Sequence, residues 1–276
     1  MTDKKTATTN VREALSNGVN CPRAVFFDLD DTLAESFHAP SPEALAGVAK
    51  LLEHMPVSII SGATFLRMQK QFLSVFESHP HAGRLYIFAT SAAQAHHFNS
   101  GAWEQLYDLA LDEAARARIK NAIGEAVDSL EVLHGIPHYG EQTVDKGSQI
   151  AYTHVGVDAP KAVKDSWDPD GSKRRLLWEA LKKSLPEFEV LMGGITTIDI
   201  TLKDVNKSHG VEWLSKELAI PTREMLYVGD ALYPGGNDAV VIPTGIQTLS
   251  VSGPAETEKI IVELLKLCGA EQNGSR

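Results

Sequence analysis

The sequence predicts an α/β protein: a three-layer core around a parallel sheet, with an α+β module inserted partway along the chain. Three observations predict this. Apolar, β-rich runs alternate with amphipathic helical segments over the first third. The alternation breaks down in the middle, where strand-like runs cluster. It returns over the last quarter.

Each element has a local reason. "AVFF" from Ala24 is a continuous apolar run, as in a strand buried on both faces. Ser41 before Pro42 is a helix cap followed by a favoured first helical residue, and Leu45, Val48, Ala49 and Leu52 then mark one face. "VSII" from Val57 reads as a second strand, "TFLRMQKQFLSVF" as a second helix and "LYIF" from Leu85 as a third strand. A long helix is expected from about Trp103 to Leu130, then a strand in "SQIAYTHVGV" and a helix after "DSWDPDGSKRR". "FEVLMGG" and "ITTIDITL" read as two strands around a Gly-Gly turn. A helix in "NKSHGVEWLSKEL", strands in "EMLYVGD" and "IQTLSV", and a closing helix with Ile261, Leu264, Leu265 and Cys268 complete the chain. The expected organisation is a polar tail over 1–20, a core from 21–90 and 203–276, and an insert over 91–202.

Composition narrows the function classes. The chain has 276 residues, 43% hydrophobic and 22% charged, and a formal net charge of -10. With no basic excess to neutralise phosphates, no nucleic-acid partner is expected. No apolar run approaches the roughly 18 residues of a membrane span, and the polar start has no signal-like apolar core. A cytoplasmic protein without a membrane partner is the resulting expectation. Cys21 and Cys268 stand at opposite ends, so no disulfide framework can be read from them. The histidines His79, His81, His96 and His97 lack metal-ligand logic and are expected at the surface, and the four tryptophans as packing residues.

The chemistry concentrates at strand ends. Asp28, Asp30 and Asp31 follow the first strand, and three carboxylates this close repel one another unless a positive charge lies among them. Ser61 and Gly62 follow the second strand, Gly229 and Asp230 a later one, and Lys207 opens a helix. In an open parallel sheet, ligands bind outside the carboxyl ends of the strands. Asp28 is the candidate nucleophile toward phosphorus, Asp30 the candidate acid and then base. Mg2+ suits carboxylate oxygens and would screen a dianionic phosphate, with Asp28, Asp30 and Asp230 as candidate ligands. Ser61, the Gly62 amide and Lys207 would bind phosphate oxygens, although Ser61 could also cap the next helix and Lys207 could simply be solvated. Asp31 reads as a turn residue.

The motifs "DLDDT", "SGA", "NK" and "GDALYPGGND", in that order, resemble those of the haloacid dehalogenase superfamily. The resemblance implies a Rossmann-like three-layer core with an inserted α+β cap domain of the IIB kind between the second and third motifs. "GDALYPGGND" and "GGITTIDIT" look most like phosphomannomutase and its bacterial phosphatase-like relatives. It further implies that Asn237 and Asp238 support a metal from behind its direct ligands, and that the partner is a small phosphorylated substrate. Cap residues, with Glu141 and Lys146 the first candidates, would select that substrate. Phosphomannomutases carry an arginine after the first motif and an arginine-rich cap segment. Here "DLDDTLAES" has no following arginine, and "VDKGSQIAYTHVGV" offers only Lys146. One lysine poorly replaces a bidentate phosphate clamp. The expectation is therefore a phosphatase hydrolysing a sugar phosphate through an aspartyl phosphate, with a phosphosugar mutase as the alternative.

Overall fold

The structure is a computed structural model, described here over residues 21–274. The expected tail over 1–20 lies outside the described residues. The chain runs β1 (Ala24–Asp28), α1 (Pro42–His54), β2 (Val57–Ile60), α2 (Phe65–Gln71), β3 (Leu85–Ala89), β4 (Gln94–Asn99) and β5 (Ala102–Asp108). There follow α3 (Glu113–Ser129), β6 (Thr143–Asp145), β7 (Ile150–Thr153), α4 (Lys161–Trp167), α5 (Ser172–Ser184), β8 (Phe188–Gly193) and β9 (Thr197–Leu202). It closes with α6 (Lys207–Glu217), β10 (Met225–Gly229), β11 (Gln247–Ser250) and α7 (Pro254–Gly274).

The chain divides into two compact units, one of residues up to 107 together with 207 onward, the other Asp108–Asn206. The first holds a seven-stranded sheet in the order β11-β10-β1-β2-β3-β4-β5. Strands β11 through β3 pair in parallel, and β4 turns antiparallel to β3. Central β1 explains why its sequence is apolar without alternation. Val25 and Phe27 pack into a core with α1, α2 and α7, while Ala24 and Phe26 pack into a second core with α6. Ser41 caps α1 through its hydroxyl, and Pro42 starts the helix, as its sequence predicts.

The helix expected from Trp103 starts later. Gln94–Asp108 is a hairpin, β4 and β5, turned at Ser100 and Gly101, both at positive φ (49° and 86°). That turn conformation suits the right-handed twist of paired strands. The helix α3 begins only at Glu113, capped by Asp112. This hairpin extends the first unit's sheet, so the second unit starts at Asp108, whereas the sequence places the insert from 91.

The second unit has its own antiparallel four-stranded sheet, order β6-β7-β9-β8. Ile150, Tyr152, Val190, Ile198 and Ile200 from the strands meet Ile119 and Ile123 of α3 and Leu177 and Leu181 of α5. The tryptophans pack against the cores as expected. Of the four histidines expected at the surface, His96 departs from that position. His96 is buried and stacks on Phe65 at 3.8 Å, and His97 stacks on Tyr86 at 4.7 Å. Both lie on β4, whose side chains meet the first unit's core.

The two cysteines form a disulfide, Cys21–Cys268, across a separation of 247 residues. Sequence spacing is blind to it, because only the folded sheet brings the entry to β1 beside α7. No helix among the described residues is long and apolar enough to cross a membrane.

Candidate metal and phosphoryl-transfer site

The site belongs wholly to the first unit and grows from three neighbouring strand ends. Asp28 is the last residue of β1 and pairs in register with Ile60, so Ser61 follows at the adjacent end of β2. On the other side β10 ends at Gly229, and Asp230 comes next. Parallel register alone therefore gathers the residues that the sequence scatters over some two hundred positions.

Beyond Asp28 the chain folds into a tight turn. The Leu29 carbonyl accepts N–H groups from Leu33 and Ala34 at 3.0 and 2.9 Å. Asp31 sits at φ 61°, and its carboxylate accepts from the Ser36 N–H (3.1 Å) and hydroxyl (2.8 Å). This is the turn role expected of it. The same turn redirects Asp30, whose carboxylate does not join that of Asp28. Oδ1 of Asp30 accepts from Arg67 Nη2 and the Phe37 N–H, both at 3.0 Å, and Oδ2 from the Ser61 hydroxyl at 3.2 Å.

Lys207, at the start of α6, is not solvated. Its ammonium is buried between Asp28 Oδ1 at 2.7 Å and Asp238 Oδ1 at 2.6 Å. Asp238 also accepts from the Tyr227 hydroxyl at 2.6 Å and from the Ala231 N–H at 3.0 Å. Asp230 is fixed by Thr32, whose hydroxyl donates to Oδ1 at 3.2 Å while accepting the Asp230 N–H at 3.0 Å. Oxygen atoms of Asp28, Asp230 and Asp238 lie within 4.8 Å of one another.

The carboxylate cluster thus differs from the ligand set expected from sequence, Asp28, Asp30 and Asp230. Asp238 stands within the cluster, where the sequence places it behind the direct ligands, and the Asp30 carboxylate is held by Arg67. The loop that carries Asp238 has a steric reason for its glycines. A Cβ on Gly229 would lie 2.4 Å from an Asp238 carboxylate oxygen, and one on Gly236 would lie 2.0 Å from the Ala231 carbonyl oxygen.

Electrostatics follow from this crowding. Burial raises the Asp28 carboxyl well above its usual range; Lys207 opposes the shift, and Asp238 and Asp230 add to it. Burial and the neighbouring Asp238 push Asp230 up to about 6. For Lys207, burial alone would lower the pKa, but Asp238 and Asp28 outweigh it and the ammonium is held more firmly charged. With all three carboxyl groups ionised, one ammonium would leave excess negative charge. A hard divalent cation among these oxygens would balance it, and Mg2+ suits such a donor set.

Ser61 accepts the Ala63 N–H at 3.0 Å, whereas the cap of α2 is Thr64, which accepts from Arg67 N at 3.2 Å. Gly62 lies in the same β2–α2 connection. Sequence reasoning missed Arg67, Tyr227 and Thr32. Arg67 left one signal, an arginine one turn into the helix after "SGA". In the second unit, Glu141 is exposed before β6, and Lys146 lies in the β6–β7 turn with Nζ donating to Gln149 Oε1 at 3.1 Å.

No family model and no curated protein matches this chain. Solved structures do. N-terminally truncated, IMP-bound Plasmodium falciparum IMP-nucleotidase is 18% identical, with a TM-score of 0.68 over 93% of this chain and 70% of that one. Another structure of Plasmodium falciparum IMP-nucleotidase is 19% identical, with a TM-score of 0.68 over 92% of this chain and 65% of that one. Aspergillus fumigatus trehalose-6-phosphate phosphatase is 15% identical, with a TM-score of 0.54 over 92% and 96%. The similarity to these structures shows that the chain shares their α/β fold, with the parallel sheet that gathers Asp28, Ser61 and Asp230 at its centre.

Proposed function

We propose that the chain is a Mg2+-dependent phosphatase acting on a small phosphorylated metabolite, a sugar phosphate before other classes, through an aspartyl phosphate on Asp28. One observation carries this reading: Lys207 joins buried Asp28 to buried Asp238 beside the half-buried Asp230, in one cluster at the strand ends. A purely structural ion pair would not need a third carboxylate on the same spot. Asp28, Asp230 and Asp238 would hold Mg2+, which when bound supplies positive charge against the phosphate's own.

Asp28 attacks phosphorus, and the bond from phosphorus to the leaving oxygen breaks. That oxygen takes its proton from Asp30. Water then attacks the aspartyl phosphate and gives a proton to Asp30. The bond between Asp28 and phosphorus breaks, releasing inorganic phosphate. Ser61, the Gly62 amide and Lys207 stabilise the phosphoryl oxygens. Solved structures of similar fold include one named for a nucleotide and one named for a sugar phosphate, which supports a phosphomonoester as the substrate class.

The test is phosphate release from a panel of sugar phosphates and nucleoside monophosphates, with and without Mg2+. Release should need Mg2+ and should vanish in Asp28→Asn. Full activity after thorough chelation would sink the metal assignment. Isomerisation of a sugar phosphate in place of hydrolysis would favour the mutase. The Asp108–Asn206 unit would select the substrate. Glu141→Ala and Lys146→Ala should then raise KM for the best metabolite and scarcely alter hydrolysis of a generic aryl phosphate. Equal slowing of both substrates would argue against that role.

A further inference from the structure

The geometry points to Arg67 as the positioning residue that aims Asp30. This rests on the reading of Asp30 as proton donor to the leaving oxygen. Asp30 leaves the strand through a sharp turn, so nothing in the sheet fixes its side chain. Its carboxylate is instead set by Arg67 Nη2, the Phe37 N–H and the Ser61 hydroxyl. Of these, only Arg67 is charged, and a charge-assisted bond is the strongest of the three.

Arg67 is itself braced. Its Nε donates to Gln71 Oε1 at 3.2 Å, one turn on along α2. Its guanidinium lies over the Phe37 ring, 5.2 Å from the centroid. Gln71 Nε2 then donates to the Phe37 carbonyl at 3.1 Å, closing a ring of contacts around the loop that follows Asp30. Phe37 sits at φ 68°, a conformation uncommon for a bulky residue, and the residue is 55% exposed. An exposed aromatic side chain gains little by burial there. What the conformation provides is an N–H on Asp30 and a platform under Arg67. The arrangement holds one face of the Asp30 carboxylate and leaves its direction set by the α2 side chains.

An acid that is only misaimed fails most where the leaving oxygen most needs a proton. The experiment therefore compares transfer to Asp28 from para-nitrophenyl phosphate, a good leaving group, and from glycerophosphate, a poor one, by rapid quench in Mg2+. Arg67→Ala should slow transfer from glycerophosphate about tenfold or more and from the aryl ester no more than about twofold. Arg67→Lys should recover part of the loss, since it keeps the charge without the planar fork. Asp30→Asn should show the same selectivity, and the double variant should be no slower than Asp30→Asn alone. Gln71→Ala removes the brace without touching Asp30 and should reproduce a smaller version of the Arg67→Ala pattern. Equal slowing of both esters, or losses that add in the double variant, would overturn the inference. Transfer from neither ester by the wild type would overturn the phosphatase reading with it. An active, Asp28-dependent wild type that Arg67→Ala matches on both esters would overturn this inference alone.

Discussion

At the scale of single residues, the site is a balance of charge in a buried place. Lys207 stands between two aspartates with almost no access to water. Truncating one partner of such a group leaves the others uncompensated. Lys207→Ala should therefore lower kcat about 10²–10³-fold by removing a preorganised charge-stabilising donor. It should also destabilise the metal-free protein by about 3–5 kcal/mol. A kcat change under tenfold, measured on the best substrate, would return Lys207 to a structural role. Asp230 yields a prediction about pH. Burial and Asp238 raise its pKa to about 6 in the folded chain, against about 3.9 unfolded. The folded state therefore binds this proton more tightly. The contribution is fully present below about pH 4 and is lost as pH rises through about 6, to a total of about 3 kcal/mol. Comparing denaturant midpoints of wild type and Asp230→Asn across that window, without metal, should show a shallower pH dependence in the variant, where the raised Asp28 carboxyl remains. Equal pH dependence in the two proteins would refute it.

At the scale of elements, loops after strands decide what the strands present. The loop after β10 returns Asp238 beneath Gly229, and its glycines are there for space as well as for backbone freedom. Gly235 has φ 87° with open space around a Cβ, whereas Gly236 would drive a Cβ into the Ala231 carbonyl at 2.0 Å. Gly235→Ala should cost about 1 kcal/mol of backbone strain. Gly236→Ala should cost more, about 1–3 kcal/mol, because backbone must move. It should also weaken Mg2+ binding, since the moved segment carries Asp238. Denaturant melts with parallel calorimetric Mg2+ titrations would check the order, and the reverse ranking would count against the steric account.

At the scale of the whole molecule, the Cys21–Cys268 bond ties the entry of the central strand to the last helix. In the chain-entropy account, closing so long a loop stabilises by about 5.5 kcal/mol through the unfolded state. Reduction should lower the melting temperature by about 10–20 °C, taking about 2–4 °C per kcal/mol for a chain of this size. Scanning calorimetry with and without reductant measures this, and Cys21→Ser should melt like the reduced wild type. A shift below about 2 °C would mean that the bond contributes little.

Much of this protein is legible in its sequence because local physics is written locally. The alternation of apolar runs with amphipathic helices, the Ser41–Pro42 helix start and the "AVFF" strand all found their places. So did the gathering of Asp28, Ser61 and Asp230, because parallel pairing puts consecutive strand ends on one edge whatever the loops do. The tertiary structure decided what depends on direction and closeness. The stretch from Trp103 reads as helix in the sequence, and pairing of β5 in the sheet makes it strand instead. Asp30 stands two residues from Asp28, yet a left-handed turn at Asp31 sends its carboxylate to Arg67 while Asp238 takes a place beside the other two. The partners Lys207–Asp28 and Cys21–Cys268 are 179 and 247 residues apart, and sequence spacing holds no record of contacts at that range. Periodicity is a property of neighbours along the chain, whereas charge pairing and cross-linking are properties of neighbours in space.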